Sequence, residues 1–108
     1  GNKEKRVGVF VYEFVGTALI MYALMMSHGL LNDGPAIWVT FAMTIIAWNV
    51  SGGHFNPTLT VGMYVASQDF EGNLVTCVLM TAAQFTGAMF GILLGFLTLL
   101  DSVYMDAQ

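Results

Sequence analysis

Apolar residues fill this chain in three long runs, and the interruptions carry most of the information. Between residues 7 and 31 the sole charge is Glu13, and no charged residue occurs from 34 to 68 or from 72 to 100. A helix needs roughly 20 residues to cross a bilayer core. The first and third runs each fit one crossing. The middle run fits one crossing and about half of another, because "SGGHFNPTLT", Ser51 to Thr60, falls inside it. Two glycines release the backbone from helical geometry, and Asn56 followed by Pro57 is a helix start: a capping side chain, then a proline whose fixed φ suits the first turn. The helix so started reaches only to the polar turn "SQDFEGN". Its ten or eleven residues cover about 15 Å, half the hydrocarbon thickness.

The pattern therefore predicts an all-α membrane protein of three transmembrane helices and one re-entrant half-helix. The first span covers about residues 7–31 and the second about 35–50. The loop and half-helix cover about 51–67, and the third span about 73–100. These make one domain over 1–108. "LNDGP", Leu31 to Pro35, reads as the turn between the first two helices. Bare backbone is tolerated at membrane depth only where protein buries it or it lines a watery cavity. The carbonyls of residues 51–55 are thus expected to face something polar, although a kinked, buried loop with no passage would break the helix in the same way.

Composition supports a lipid setting: 56% of the 108 residues are hydrophobic and 9% charged, against about a quarter charged in soluble domains. Lys3, Lys5 and Arg6, all the basic residues present, precede the first run, so the positive-inside rule sets the N-terminus on the cytoplasmic, matrix or stromal side. Three crossings then leave Asp101 and Asp106 opposite. The net charge of −4 excludes nucleic-acid binding. No nucleophile–base pair points to an enzyme, and nothing points to a cofactor. One cysteine, Cys77, offers neither a disulfide nor a metal cluster, and reads as a packing residue in the third span.

The expected chemistry is that of a neutral-solute passage. A half-helix start at mid-membrane presents free N–H groups and a partial positive charge, which oppose protons and cations. Asn56 can accept a bond locally and turn its NH2 group outward, while the backbone of Ser51 to His54 supplies acceptors. Glu13, an acid inside a span, requires hydrogen-bond partners; the bland reading is a glutamate near the interface. Gly87, Gly91 and Gly95 form a ridge four residues apart that permits close helix approach, and Gly16 reads likewise as packing. His54 reads as a satisfied loop histidine or as a pH sensor, and His28 as interfacial.

"SGGHFNPTLT" resembles the first signature box of the aquaporin and aquaglyceroporin family, usually SG-x-H-x-NPA-x-T. "YEFVGT" (Tyr12 to Thr17) resembles the family's first-helix E-x-x-G-T element, and "AQFTGA" (Ala83 to Ala88) its third-helix A-Q-x-x-G-A element. Order and spacing agree along the whole chain. The resemblance implies that Asn56, Pro57 and Thr58 form the pore box, with Gly52, Gly53 and His54 presenting carbonyls to the pore. It also implies that Glu13 and Gln84 brace the loop.

Two departures qualify it. Family channels hold two inverted repeats of this layout, with an arginine after the second box. Here Arg6 is the only arginine and no second Asn-Pro pair occurs. A complementary half, on another chain or a cleaved remainder, is therefore expected, in a tetramer or larger membrane assembly with lipid around it. Antiparallel self-pairing is disfavoured by the basic N-terminus. Thr58 stands where alanine is usual, and its hydroxyl can bond back to a carbonyl of the preceding turn. The helix-two constriction position falls on Ala36, or on Trp38 or Phe41 if the alignment slips. The sequence thus leads to half of a passive channel for water or small neutral solutes such as glycerol. The alternative is a non-conducting structural subunit of a larger membrane complex that retains the half-fold.

Overall fold

Four helices follow one another in the computed structural model, which describes residues 2–106: α1 (Asn2–Leu30), α2 (Gly34–Ala47), α3 (Pro57–Ser67) and α4 (Leu74–Asp106). Among the described residues there is no strand. α1 and α4 are long and apolar enough to cross a membrane; α2 is apolar but shorter. α1 starts ahead of residue 7 because Lys3 to Arg6 are good helix formers, and α4 continues past Leu100 to Asp106.

The junctions follow from local chemistry. α1 ends on Leu31 in the left-handed region (φ 54°), where its N–H donates to the His28 carbonyl and that of Asn32 to the Ser27 carbonyl. Asn32 Oδ1 accepts the Gly34 N–H at 3.0 Å and closes the turn read as "LNDGP". α2 stops at Ala47, three residues before the expected 50. The Ala47 carbonyl accepts the N–H groups of Val50, Ser51 and Gly52 at 3.0, 2.9 and 3.2 Å, which winds residues 48–51 into a turn. α3 has the bounds its Asn-Pro start and polar end suggest. It closes on Gln68 at φ 56°, and Asp69 Oδ1 accepts the Gly72 N–H at 3.1 Å.

Packing sets the directions. α1 and α4 run parallel: Gly87 lies on Phe14, Gly91 on Ala18, and Gly29 on Leu99. α2 runs antiparallel to α1, since Ala36 N–H donates to Ser27 Oγ at 3.0 Å while Val50 lies on Gly8. Those two contacts are separated along α1 by about 29 Å at the helical rise. α3 packs on α4. The described molecule is long and narrow, 56 × 22 × 21 Å.

The glycine ridge allows the α1–α4 approach. A Cβ on Gly87 would lie 2.5 Å from the Phe14 carbonyl oxygen, and one on Gly91 would meet the Ala18 carbonyl. Gly95 faces the Met25 side chain instead of backbone, and Gly16 faces the Phe55 ring instead of a helix. A Gly87→Val substitution should therefore cost about 1–3 kcal/mol by overpacking. Gly62, whose Cβ would meet nothing within 4 Å, should accept alanine with a gain of about 0.5–1 kcal/mol. Reversible unfolding in mixed micelles checks both signs.

Candidate functional site

Glu13 is wholly buried in the middle of α1, and donors surround it. Ser51 Oγ donates to its Oε2 at 2.6 Å. The Phe55 N–H and Gln84 Nε2 donate to its Oε1 at 2.9 and 2.8 Å. Three elements thus meet on one carboxylate: α1, the loop and α4. Isolated, a charge buried there would be costly, and three donors offset that cost. Glu13 is thus enclosed by protein and not exposed at a helix end.

The loop is held in backbone conformations that L side chains seldom adopt. Gly52 (φ 86°) and Gly53 (φ 62°) are suited to them, but Phe55 (φ 51°) is not. Phe55 is held there by its N–H on Glu13 and by its ring, which occupies the space left by the missing Gly16 side chain. Among the described residues no hydrogen bond reaches the carbonyls of residues 51–55. The chain then turns into α3. Asn56 (φ −154°, ψ 122°) caps it, Oδ1 accepting the Thr58 N–H at 2.8 Å, and Pro57 occupies the first turn.

Thr60 joins the loop to the buried acid. Only 2% exposed, it receives Gln84 Nε2 at 2.7 Å and lies 3.1 Å from His54 Nδ1 and 3.2 Å from the Asn56 carbonyl. Its single proton serves one of the last two. If the Asn56 carbonyl takes it, His54 carries its proton on Nδ1; if His54 takes it, the ring proton sits on Nε2. The Thr60 proton and the His54 tautomer are therefore linked, within a chain of contacts running Glu13, Gln84, Thr60, His54. Both hydrogens of the Gln84 amide are used, and its buried Oε1 has no partner among the described residues, nor has Thr17 Oγ1. A flipped Gln84 amide would set Oε1 against the Glu13 carboxylate.

A cleft of about 200 Å³ adjoins this network, walled by Ser51, His54, Thr60, Tyr64, Thr76 and Cys77 among others. Cys77, expected only to pack, lines it half-buried. Asn56 and Thr58 do not line it: both are exposed on the outer surface, while Pro57 and Gly52 are half-buried and Gly53 is buried. The back-bond expected of Thr58 is made instead by Thr60, one helical turn after the cap. Ala36 is buried against α1; Trp38 and Phe41, in edge contact at 6.4 Å, are exposed on α2. The structure brings Glu13, Gln84, His54, Gly52 and Gly53 to one centre and leaves Asn56 and Thr58 facing outward. Sequence reasoning missed Thr60, Phe55 and the Ser51 hydroxyl. Thr60 lies four positions after the cap, on a face of α3 that is buried by its packing on α4 and not marked by residue type.

Two helices long and apolar enough to cross a membrane, packed closely on glycines, with a buried acid holding an irregular loop and a proline-started short helix, make an all-helical fold of integral-membrane type. The chain matches the family described as Major intrinsic protein over residues 2–107, and it belongs to that family. It is also similar to "Aquaporin TIP2-1" of Zea mays, 31% identical over 85% of this chain and 43% of that protein. The chain thus spans less than half the length of this relative. No solved structure matches.

Glu13→Gln should destabilise the fold by about 1–3 kcal/mol, because the bonds from Phe55 and Gln84 lose their charge assistance and the new NH2 group meets Ser51 Oγ only if that hydroxyl turns from donor to acceptor. Hydrogen exchange at the Phe55 amide is the local reading, and its protection should fall with little change at the centre of α4.

Proposed function

We propose that this chain is one half of a passive channel for water or small neutral solutes, completed by a complementary half in a tetramer or larger membrane assembly. The observation that carries this is a chain reversal at mid-height. The polypeptide descends α2 to the level of Gly8, rises through the loop to the level of Gly16, and descends again along α3 to the start of α4. That course supports three crossings by α1, α2 and α4, with α3 as a re-entrant half-helix whose positive end lies near mid-membrane. The Asn56 NH2 group and the Leu59 N–H are the donors, since the N–H groups of Thr58 and Thr60 are taken by Asn56, and the unpaired carbonyls of residues 51–55 are the acceptors. Pro57 fixes the start of α3, and Glu13 and Gln84 hold the loop in register. Neutral molecules that both donate and accept suit such a lining; cations meet the helix end unfavourably.

The family match and the maize aquaporin support water as the first solute to test. That relative's length supports a second half, whose inverted half-helix would meet Asn56 from the opposite side. The exposure of Asn56 and Thr58 supports the same view, since both stand on the face a second half would cover. The N-terminus, with Lys3, Lys5 and Arg6, lies on the cytoplasmic, matrix or stromal side.

Asn56→Asp keeps the cap, since aspartate also accepts the Thr58 N–H, but it replaces the outward donor by a negative charge. In vesicles holding the protein with its complementary half, osmotic shrinkage should slow about ten-fold, the effect of roughly 1.4 kcal/mol at the constriction. Wild-type rates no faster than those of empty vesicles would favour the non-conducting subunit, and equally raised rates for both proteins would remove Asn56 from the passage.

A further inference from the structure

The first turns of α1 carry a groove that neither the loop nor the proposed channel uses. Lys3 and Arg6 stand at its rim, and Val7, Phe10 and Val11 with Leu79 of α4 form its walls, enclosing about 440 Å³. Residues 3, 6, 7 and 10 recur at the three- and four-residue intervals that set side chains on one helix face. Lys5 lies off that stripe and Glu4 is not among the walls. Lys3 and Arg6 are exposed, as are Val7 and Val11. Below the rim the apolar surface continues: the Phe10 ring stacks on Phe14 at 6.3 Å, and Phe14 meets Phe90 at 5.8 Å, along the seam between α1 and α4.

We propose that this groove holds one anionic phospholipid, its phosphate between Lys3 and Arg6 and an acyl chain along Val7, Phe10, Val11 and Leu79. Charge complementarity selects the occupant. The site offers two cations at the polar end of a membrane helix and, directly beneath them, a wall without a hydrogen-bonding side chain. A lipid sets its charge above its aliphatic chain in that same order. A free phosphate would use the rim and leave the groove open. Long basic side chains reach to the headgroup level while their stems cover apolar surface, and each basic residue near an anionic leaflet strengthens the attachment. The inference rests on membership of a membrane-protein family and on the geometry of α1 and α4. It stands whether or not the chain conducts.

Native mass spectrometry of the protein, with its complementary half, tests the site. Phosphatidylglycerol and phosphatidylcholine with the same acyl chains are titrated in turn. Phosphatidylglycerol should be retained about ten-fold better, and Lys3→Gln and Arg6→Gln should each lower its retention about five-fold. Lys5→Gln should leave it unchanged, Phe10→Ala should weaken it, and millimolar inorganic phosphate should not displace it. Circular dichroism should find the helix content of every variant unaltered, since Lys3, Lys5 and Arg6 are exposed and Phe10 is only half-buried. Equal retention of the two lipids would overturn the proposal. So would a Lys5→Gln loss as large as the Lys3→Gln loss, which would make the attraction diffuse, or full displacement by phosphate, which would reduce it to a headgroup contact.

Discussion

One carboxylate in the middle of an apolar helix pair constrains the rest of this structure. Glu13 has no access to water, so its oxygens must find donors inside the protein, and they take them from Ser51, Phe55 and Gln84. The dependence runs in both directions. The loop has left helical geometry and carries a backbone N–H at Phe55 that no neighbouring carbonyl takes. Gln84 sits on a helix face that would otherwise be apolar. Each of these groups would lose a bond without the acid, and the acid would be unsatisfied without them. The contacts join residues 38, 42 and 71 positions apart, so the network forms only when α1, the loop and α4 are all in place.

Such a network needs the helices close together, and small residues make that possible. α4 lies so near α1 that Gly87 and Gly91 rest on the carbonyls of Phe14 and Ala18. At that separation Gln84, one turn before Gly87, reaches Glu13, one residue before Phe14. Gly16 makes the matching allowance on the loop side by admitting the Phe55 ring. Its packing offsets part of the strain of a non-glycine residue at positive φ. Close approach and hydrogen bonding are thus one geometric condition expressed on two faces of α1.

The sequence made the helices legible because their limits are written in strong local signals: the charge-free runs, the Asn-Pro start of α3 and the polar turn after Ser67. α2 ended early because its stop depends on three amides converging on the Ala47 carbonyl, a feature of the folded turn that residue type alone does not announce. Glu13, Gln84 and the paired glycines could be singled out as polar or small residues in apolar surroundings. Thr60 could not be separated from Thr58 in that way. Both lie in the first turns of α3, and only the helix's rotation against α4 buries one and exposes the other. Gly16 illustrates the same difficulty, since a glycine on a helix does not say whether a second helix or a single ring will occupy its space.

The division between buried and exposed polar groups separates what the fold requires from what it leaves over. Glu13, Gln84, Thr60 and the Ser51 hydroxyl are consumed within the chain, and their bonds account for their presence through stability alone. A protein that carried nothing across the membrane would still need them once its loop had this shape. The Asn56 NH2 group and the carbonyls of residues 51–55 are different. No described partner takes them, and unpaired backbone requires either water or another protein surface beside it. Folding thus leaves its unused polar groups together, at the loop and on the outer side of the α3 start, where a surface outside this chain can still pair with them.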